Sequence, residues 1–147
     1  MKVACNRLPD LAGCDLGWSD WLTIDQALIN GFAQATGDHQ WIHVDVERSA
    51  SHGGTIAHGF LTLALIPQMA AGLLEISGAA RLLNCGVNRV RFPAAVRSGA
   101  RIRVHQVIEA VSPRAGGFEV ISNFTVVSDR DEKPVCVAQS VILAIRQ

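Results

Sequence analysis

The sequence predicts an α+β fold in which helices from the first half of the chain pack against an antiparallel sheet from the second half. Apolar residues at helical spacing are confined to residues 25–78, whereas residues 79–145 form four long runs with the alternation of strands. Turns join most of these runs, and strands connected in this way pair antiparallel. Helices grouped in one block before a block of strands are typical of α+β domains.

The composition is that of one folded domain with a substantial core. The chain has 147 residues, of which 49% are hydrophobic and 18% charged, and its formal net charge is zero. A neutral chain has no basic excess to hold a phosphate backbone, so we expect no nucleic-acid partner. So few charges also favour a partner subunit that covers part of the surface. We therefore predict a single domain over residues 1–147.

The cysteines and the N-terminus indicate a cytoplasmic protein. None of the four cysteines belongs to a C-x-x-C pair or stands at zinc-ligand spacing, so we interpret them as free thiols in a reducing compartment. The N-terminus lacks the sustained apolar run of a signal peptide. The most apolar window, residues 56–74, contains His58 and Pro67, so we interpret it as a buried helix and expect no membrane contact.

The first half is predicted to contain one short strand followed by three helices. Residues 1–17 are predicted to be irregular. Asp25 and Asp45 can each cap a helix, and Gly37 suits the left-handed position that ends the first one. Pro67 should kink the long third helix, because its ring clashes with the carbonyl four residues back. The predicted strand is 19–24, and the predicted helices are 25–35, 46–50 and 56–75, with a loop over 38–44.

The second half is predicted to form four strands, over 79–92, 101–111, 118–127 and 135–145. Four residues on one face of the last strand have small side chains, which would let a bulky element approach closely. The long helix is the obvious candidate, so the simplest packing wraps the sheet around that helix. The small side chains are Cys136, Ala138, Ser140 and Ala144.

Residues 36–59 concentrate titratable side chains between two apolar helical patterns, and they include four of the five histidines. Asp38 and His43 lie five residues apart there, and a compact turn can bring both side chains to one cavity. A carboxylate and an imidazole that share one water form a general acid–base pair. Spacing alone is compatible with a second interpretation, in which Asp38 caps a turn and His43 is a partly exposed imidazole.

Gly59 stands near the start of the long predicted helix, where the first backbone N–H groups have no partner within the helix. Without a side chain, it would let a ligand carbonyl approach its amide, which is the geometry of an oxyanion donor. The alternative is that Gly59 only allows close packing of the helix on the sheet. His39, His52 and His58 do not show the spacing of a metal site, so we expect no metal and no other cofactor. We interpret His58 as a structural histidine beside the site.

Four motifs carry a resemblance to a known family. T-G-D at 36–38, I-H-V-D at 42–45 and G-T-I-A-H-G-F-L at 54–61 resemble the hydratase signature of the MaoC-like dehydratases, which the (R)-specific enoyl-CoA hydratases share. N-R-V-R-F-P-A-A-V-R-S-G at 88–99 resembles a strand and turn of the same family. The sequence Q-W-I-H-V-D at 40–45 is similar to that of the nodulation protein N-like branch. The resemblance covers nearly the whole chain.

The resemblance implies a hot-dog fold and a homodimer with a continuous sheet, with acyl-CoA bound near the subunit interface. It implies that Asp38 and His43 are the catalytic pair and that Gly59 supplies the oxyanion amide. The implied activity is (R)-specific hydration of a trans-2-enoyl-CoA to a (3R)-hydroxyacyl thioester. At Pro67 the sequence departs from relatives that have a small hydroxyl residue near this point of the pocket, so the resemblance leaves the acyl-chain preference open.

Two other activities suit the same fold, an acyl-CoA thioesterase and a non-catalytic module that binds acyl thioesters. The combination of Asp38 and His43 with the I-A-H-G motif favours the hydratase. Arg89, Arg91 and Arg97 are candidates for binding the phosphates of CoA, because a guanidinium offers a planar, bidentate fork. The alternative for these arginines is the solvated face of a strand.

Overall fold

The structure, a computed structural model, describes residues 1–146. Four strands of 11 to 15 residues form most of the second half, as the sequence predicts. In chain order the elements are β1 (Lys2–Ala4), a 3-10 helix (Cys5–Leu11), β2 (Asp15–Trp18), β3 (Leu22–Ile24), α1 (Gln26–Thr36), α2 (Trp41–Val44), α3 (Val46–Ala50), α4 (Gly59–Ala64), α5 (Ile66–Ala70), β4 (Glu75–Ser77), β5 (Ala79–Arg91), β6 (Ala100–Arg114), β7 (Gly117–Ser128) and β8 (Cys136–Arg146).

The main sheet is antiparallel, which confirms the predicted α+β class. Its strand order is β2-β6-β7-β8-β5, and β3 pairs with another part of β6. A two-residue loop joins β6 to β7, and Gly116 in that loop has a φ of 79°, which a side chain would strain. In contrast, β5 does not pair with β6, which follows it in the chain. Residues 92–99 instead cross to the far side of the sheet, leaving β5 at the edge.

The crossing connection is held by the segment that precedes α4. The Ala57 N–H donates to the Val96 carbonyl (2.8 Å), and the Ser98 N–H donates to the Thr55 carbonyl (3.0 Å). Val96 is 2% exposed and belongs to the main core cluster. Burial of this side chain therefore keeps the connection against the start of the central helices.

The predicted long helix at 56–75 is two short helices, α4 and α5. They are separated at Leu65, because Pro67 has no N–H for the Leu63 carbonyl and its ring would clash with that oxygen. The helical segment begins at Gly59 and ends at Ala70, so the predicted bounds were too wide at both ends. Between the first residue and Arg146, no helix is long and apolar enough to cross a membrane.

Two other predictions were wrong. Residues 1–17 contain β1, the 3-10 helix and β2, and the loop at 38–44 contains α2. β1 pairs in parallel with β4, more than seventy residues away, and a three-residue strand defined by such a distant partner leaves no local periodicity. The predicted caps are present, since Asp25 accepts from the Leu28 N–H and Asp45 accepts from the Arg48 N–H.

The central helices pack on one face of the sheet. Leu61 and Leu65 share the main core cluster with Cys136 and Ala138 of β8, as the row of small side chains predicts. Ala144, farther along the same face, instead packs in a second cluster with Leu8 of the 3-10 helix. The small face of β8 therefore accommodates two different elements.

Asp129 joins the end of β7 to the start of β6. Its carboxylate accepts hydrogen bonds from the backbone N–H and from Nε of Arg101, both at 2.9 Å. These bonds hold the pKa of Asp129 below its usual value, the backbone hydrogen bond having the largest effect. A carboxyl group whose pKa is lowered by folding stabilises the protein above its unfolded pKa, and this stabilisation is lost as pH falls through the folded pKa.

We therefore expect Asp129→Asn to lower the melting temperature at pH 7, with a difference from the parent that shrinks below about pH 4, near the usual Asp pKa. The measurement is thermal unfolding of both proteins between pH 3 and pH 7. Asp131→Asn, in the neighbouring turn, is the control for the loss of one negative charge. A difference that stayed constant across this range would contradict the assigned role.

Candidate active site

Asp38, His43 and His58 converge although they come from three different segments. Gly37 adopts the left-handed conformation (φ 79°) that ends α1, and Asp38 follows in the connection to α2. His43 lies on α2 and is 7% exposed, whereas His58 directly precedes α4 and is 3% exposed. One ring nitrogen or carboxylate oxygen from each residue lies within 4.8 Å of the others. The structure therefore brings together the predicted pair, and it adds His58.

His43 is held in one orientation by a carbonyl oxygen. Its Nδ1 lies 2.7 Å from the carbonyl oxygen of Ile56. A carbonyl can only accept, so Nδ1 carries the hydrogen and, in the neutral ring, Nε2 is left with a lone pair. Gln26 of α1 fixes the backbone of the same residue, because its Nε2 donates to the His43 carbonyl (2.7 Å). Thr55 in turn donates to the Gln26 Oε1 atom.

His58 contacts both members of the predicted pair. Its Nε2 lies 2.9 Å from the backbone carbonyl oxygen of Asp38 and must be the donor. Its ring stacks on the His43 ring, with the centroids 3.8 Å apart and the planes 24° apart, and the Phe32 ring lies 5.0 Å from it on another side. Its Nδ1 atom is buried and has no hydrogen-bond partner among residues 1–146.

The carboxylate of Asp38 is exposed and only weakly bonded. It accepts one long hydrogen bond, from the Gln40 N–H (3.4 Å). Its distance from a His43 ring nitrogen is within 4.8 Å, which is less than twice a hydrogen-bond length of about 2.8 Å. One water could therefore contact both groups at once.

A cavity of about 270 Å³ opens beside this cluster. Gly59 lines it, and the Gly59 N–H has no acceptor within the described part of the chain. The ring of Phe92 is so close to Gly59 that a Cβ added there would lie 2.8 Å from it. The lining residues are His43, Ile56, Ala57, Gly59, Thr62, Phe92, Pro93, Ala94, Ala95, Val96 and Val135.

Thr62 is a polar residue of the cavity wall that was not predicted from the sequence. It lies one helical turn after Gly59, is 2% exposed and lines the cavity. Pro67, which departs from the family pattern, is exposed and does not line this cavity. A hydroxyl group therefore borders the cavity at Thr62 rather than at position 67. Helical spacing from Gly59 is the sequence signal that could have identified it.

The three candidate arginines do not gather at the cavity. Arg89 and Arg91 are exposed on β5, and Arg91 donates to the carbonyl of its neighbour Val90. Arg97 donates through Nη1 to the carbonyls of His52 (3.1 Å) and Gly54 (2.9 Å), so it stabilises the turn before the site. The remaining N–H groups of Arg97 are still available to a ligand.

A larger cavity, of about 400 Å³, is lined by a different set of residues. It contains none of Asp38, His43 or Gly59, and Asp20 is the one ionisable group in its wall. We therefore assign the chemistry to the smaller cavity, where an imidazole and an unpaired amide meet. The lining residues of the larger one are Trp18, Ser19, Asp20, Trp21, Leu22, Gln68, Met69, Gly72 and Leu73.

Comparison with known proteins shows the family to which the chain belongs. The family described as MaoC like domain matches residues 10–137. The 3-hydroxyacyl-thioester dehydratase Z of Mycobacterium tuberculosis is 46% identical over 134 residues, which are 89% of this chain and 89% of that protein. The chain belongs to the MaoC-like dehydratase family. It is a hydro-lyase, an enzyme that adds or removes water.

This MaoC-like protein lies in the branch that includes nodulation protein N. Nodulation protein N of Rhizobium meliloti is 40% identical over 148 residues, covering 97% of this chain and 92% of that protein. Among solved structures, the unliganded (R)-hydratase PhaJ1 of Pseudomonas aeruginosa matches with a TM-score of 0.75 at 24% identity, over 92% of this chain and 83% of that chain. The predicted hot-dog fold is thereby confirmed.

The close approach of Phe92 to Gly59 generates a stability prediction. Gly59→Ala should cost about 1–3 kcal/mol of unfolding free energy, because the new methyl group overlaps the Phe92 ring. Adding Phe92→Ala should make the same glycine substitution nearly neutral. Denaturant unfolding of the two single variants and the double variant measures this coupling. Gly72→Ala, which meets no atom within 4 Å, is the matched control. Equal costs in both backgrounds would refute the overlap.

Proposed function

We propose that this MaoC-like protein is an (R)-specific 2-enoyl-thioester hydratase that adds water reversibly to a trans-2-enoyl-CoA. The observation that carries the proposal is the placement of the Asp38 carboxylate and the His43 ring. They lie within reach of one water, beside a cavity that the Gly59 amide lines. The names of its relatives, a 3-hydroxyacyl-thioester dehydratase and an (R)-hydratase, agree with this chemistry.

The reaction needs one base and one acid on the same side of the substrate. In our proposal Asp38 and His43 hold the water against C3 of the enoyl chain, and the unprotonated Nε2 of His43 accepts a proton from it. The water oxygen bonds to C3 as the C2–C3 double bond gives its electron pair to the thioester. The negative charge of Asp38 stabilises the imidazolium that forms. A proton then returns from the pair to C2 on the same face.

The Gly59 amide is the proposed donor to the thioester oxygen. Charge develops on that oxygen when water adds to C3, and a fixed N–H aimed at it lowers the barrier. The amide is available because it precedes the first hydrogen-bonded turn of α4. The adjacent wall of small and apolar residues, such as Ala94 and Val96, suits an acyl chain. Thr62 adds a hydroxyl group near the reacting carbons.

We also propose a homodimer formed through β5. This strand of thirteen residues lies at the edge of the sheet, and Arg81–Arg89 are exposed throughout. Leu82, Leu83 and Val87 on it are exposed by 51%, 41% and 50%. A long strand with an unpaired edge and exposed apolar residues is a template for another strand, and a second copy would continue the sheet. Phe92 directly follows this strand and lines the cavity, so acyl-CoA would bind near the subunit interface.

Arg89, Arg91 and Arg97 remain our candidates for the phosphates of CoA. Arg89 and Arg91 lie on the edge that the second subunit would cover, and Arg97 closes the turn that leads to Gly59. Each offers N–H donors that a phosphate can accept. We propose that these arginines hold the nucleotide end of the substrate while the acyl end enters the cavity.

We propose that the enzyme is cytoplasmic and that residues 1–147 form one domain. All four cysteines are free, which suits a reducing compartment.

Burial raises the pKa of the Cys136 thiol to about 11, so this residue next to the cavity wall is protonated at neutral pH. A protonated thiol is a poor nucleophile, which argues against its use in acyl transfer by a thioesterase.

The catalytic pair can be tested by conservative substitution. Asp38→Asn and His43→Gln should each lower the hydration rate by roughly 10²–10⁴-fold, because each removes a proton-transfer group with little change in size. The measurement is chiral analysis of the product from crotonyl-CoA and longer trans-2-enoyl-CoA substrates, with (3R)-hydroxyacyl-CoA expected. His39→Gln, at an exposed neighbouring histidine, is the control. Near-normal rates in both variants would remove the pair from the mechanism, and thiol release without hydration would favour a thioesterase.

The dimer can be tested by charging the exposed edge. The combined substitutions Leu82→Lys and Val87→Lys should convert a particle of twice the 15.8 kDa chain mass into a monomer, because each places a charge on the strand that pairs. Light scattering after size-exclusion chromatography measures the mass. Val46→Lys, at an equally exposed valine on α3, is the matched control. A parent protein that is already monomeric would contradict the proposal.

A further inference from the structure

His58 carries an inference that goes beyond the acid–base pair. Although it is 3% exposed, one of its two nitrogens has no hydrogen-bond partner within residues 1–146. A buried polar atom without a partner is costly, and such atoms in native proteins call for an explanation. An apolar side chain of similar size would avoid this cost if the position served packing alone.

The bond made by the other nitrogen supplies that explanation. His58 Nε2 donates to the backbone carbonyl of Asp38 (2.9 Å) across twenty residues of sequence. Asp38 has few other restraints, since its N–H reaches only the Thr36 hydroxyl (3.4 Å) and its carboxylate accepts only the long bond from Gln40. The hydrogen bond from His58 is therefore the shortest polar contact that holds Asp38.

The His58 ring also restrains the position of the His43 ring. It stacks on His43 at 3.8 Å, while His43 is anchored on another edge by the Ile56 carbonyl. One imidazole thus touches the backbone of Asp38 through its edge and the ring of His43 through its face. A displacement of His58 would change the distance between the carboxylate and the catalytic ring.

We propose that His58 is a positioning residue of the hydratase, which sets the separation of Asp38 and His43 through a hydrogen bond to one and a stacked ring on the other. This inference rests on the proposed hydration reaction. Correct separation matters because a misplacement of about 1 Å at a reacting group can lower a rate by roughly 10²-fold. The residue itself exchanges no proton with the substrate.

Two substitutions separate the two contacts. His58→Phe keeps a stacked ring but loses the donor, whereas His58→Gln keeps an amide N–H that can reach the Asp38 carbonyl but loses the ring. With crotonyl-CoA we expect His58→Phe to lower kcat by about 10- to 100-fold with little change in KM, since ground-state binding is not affected. His58→Gln should recover at least part of this loss.

A double-variant cycle with Asp38→Asn distinguishes positioning from simple support of the fold. In the Asp38→Asn background, His58→Phe should lower kcat by less than about threefold, because there is no carboxylate left to position. The melting temperatures of all four proteins are measured alongside, so that loss of folded protein is accounted for.

The outcomes are distinct. Parent-like kcat in His58→Phe, or an equal loss in both backgrounds, would overturn the positioning role while leaving the hydratase intact. A parent enzyme that hydrates no enoyl-CoA would instead overturn the proposed function, and the positioning role with it. Recovery in His58→Gln together with a non-additive cycle supports the proposal.

Discussion

The site depends on one short backbone segment, residues 55–58, which precedes α4. Four parts of the chain bind to it: α1 through Gln26, the α2 region through Ile42 and His43, the loop at Asp38, and the crossing connection at 96–98. Side chains donate in three of the contacts: Thr55 Oγ1 to Gln26 Oε1, His43 Nδ1 to the Ile56 carbonyl, and His58 Nε2 to the Asp38 carbonyl. Backbone N–H groups donate in the other three: Ile56 to the Ile42 carbonyl, Ala57 to the Val96 carbonyl, and Ser98 to the Thr55 carbonyl. Buried backbone groups must find partners, and here the partners include the segments that carry the candidate pair, Asp38 and His43.

Features that are set by neighbouring residues could be predicted from the sequence. The caps at Asp25 and Asp45 and the end of α1 at Gly37 are set by neighbouring residues, so local patterns predicted them. The pair Asp38 and His43 was also accessible, because both stand in a short polar stretch with a recognisable motif. Spacing alone left the pair ambiguous, and the motif favoured the catalytic interpretation.

The remaining features depend on contacts between distant segments. Gln26 reads as an ordinary helix residue, and its contact with the His43 backbone appears only after α1 and α2 have packed. Residues 55–58 are bonded to α1, to α2 and to two connecting segments, so α4 begins at Gly59, three residues later than predicted. Tertiary partners override local helix propensity at residues 56–58.

The edge strand and the cavity are linked by the chain itself. β5 ends at Arg91, and the next residue, Phe92, forms the cavity wall against Gly59. The crossing connection then carries Val96 into the core, so a shift of the edge would move the wall of the cavity. β5 carries exposed apolar residues and runs directly into this wall, so the edge strand and the cavity share one stretch of backbone.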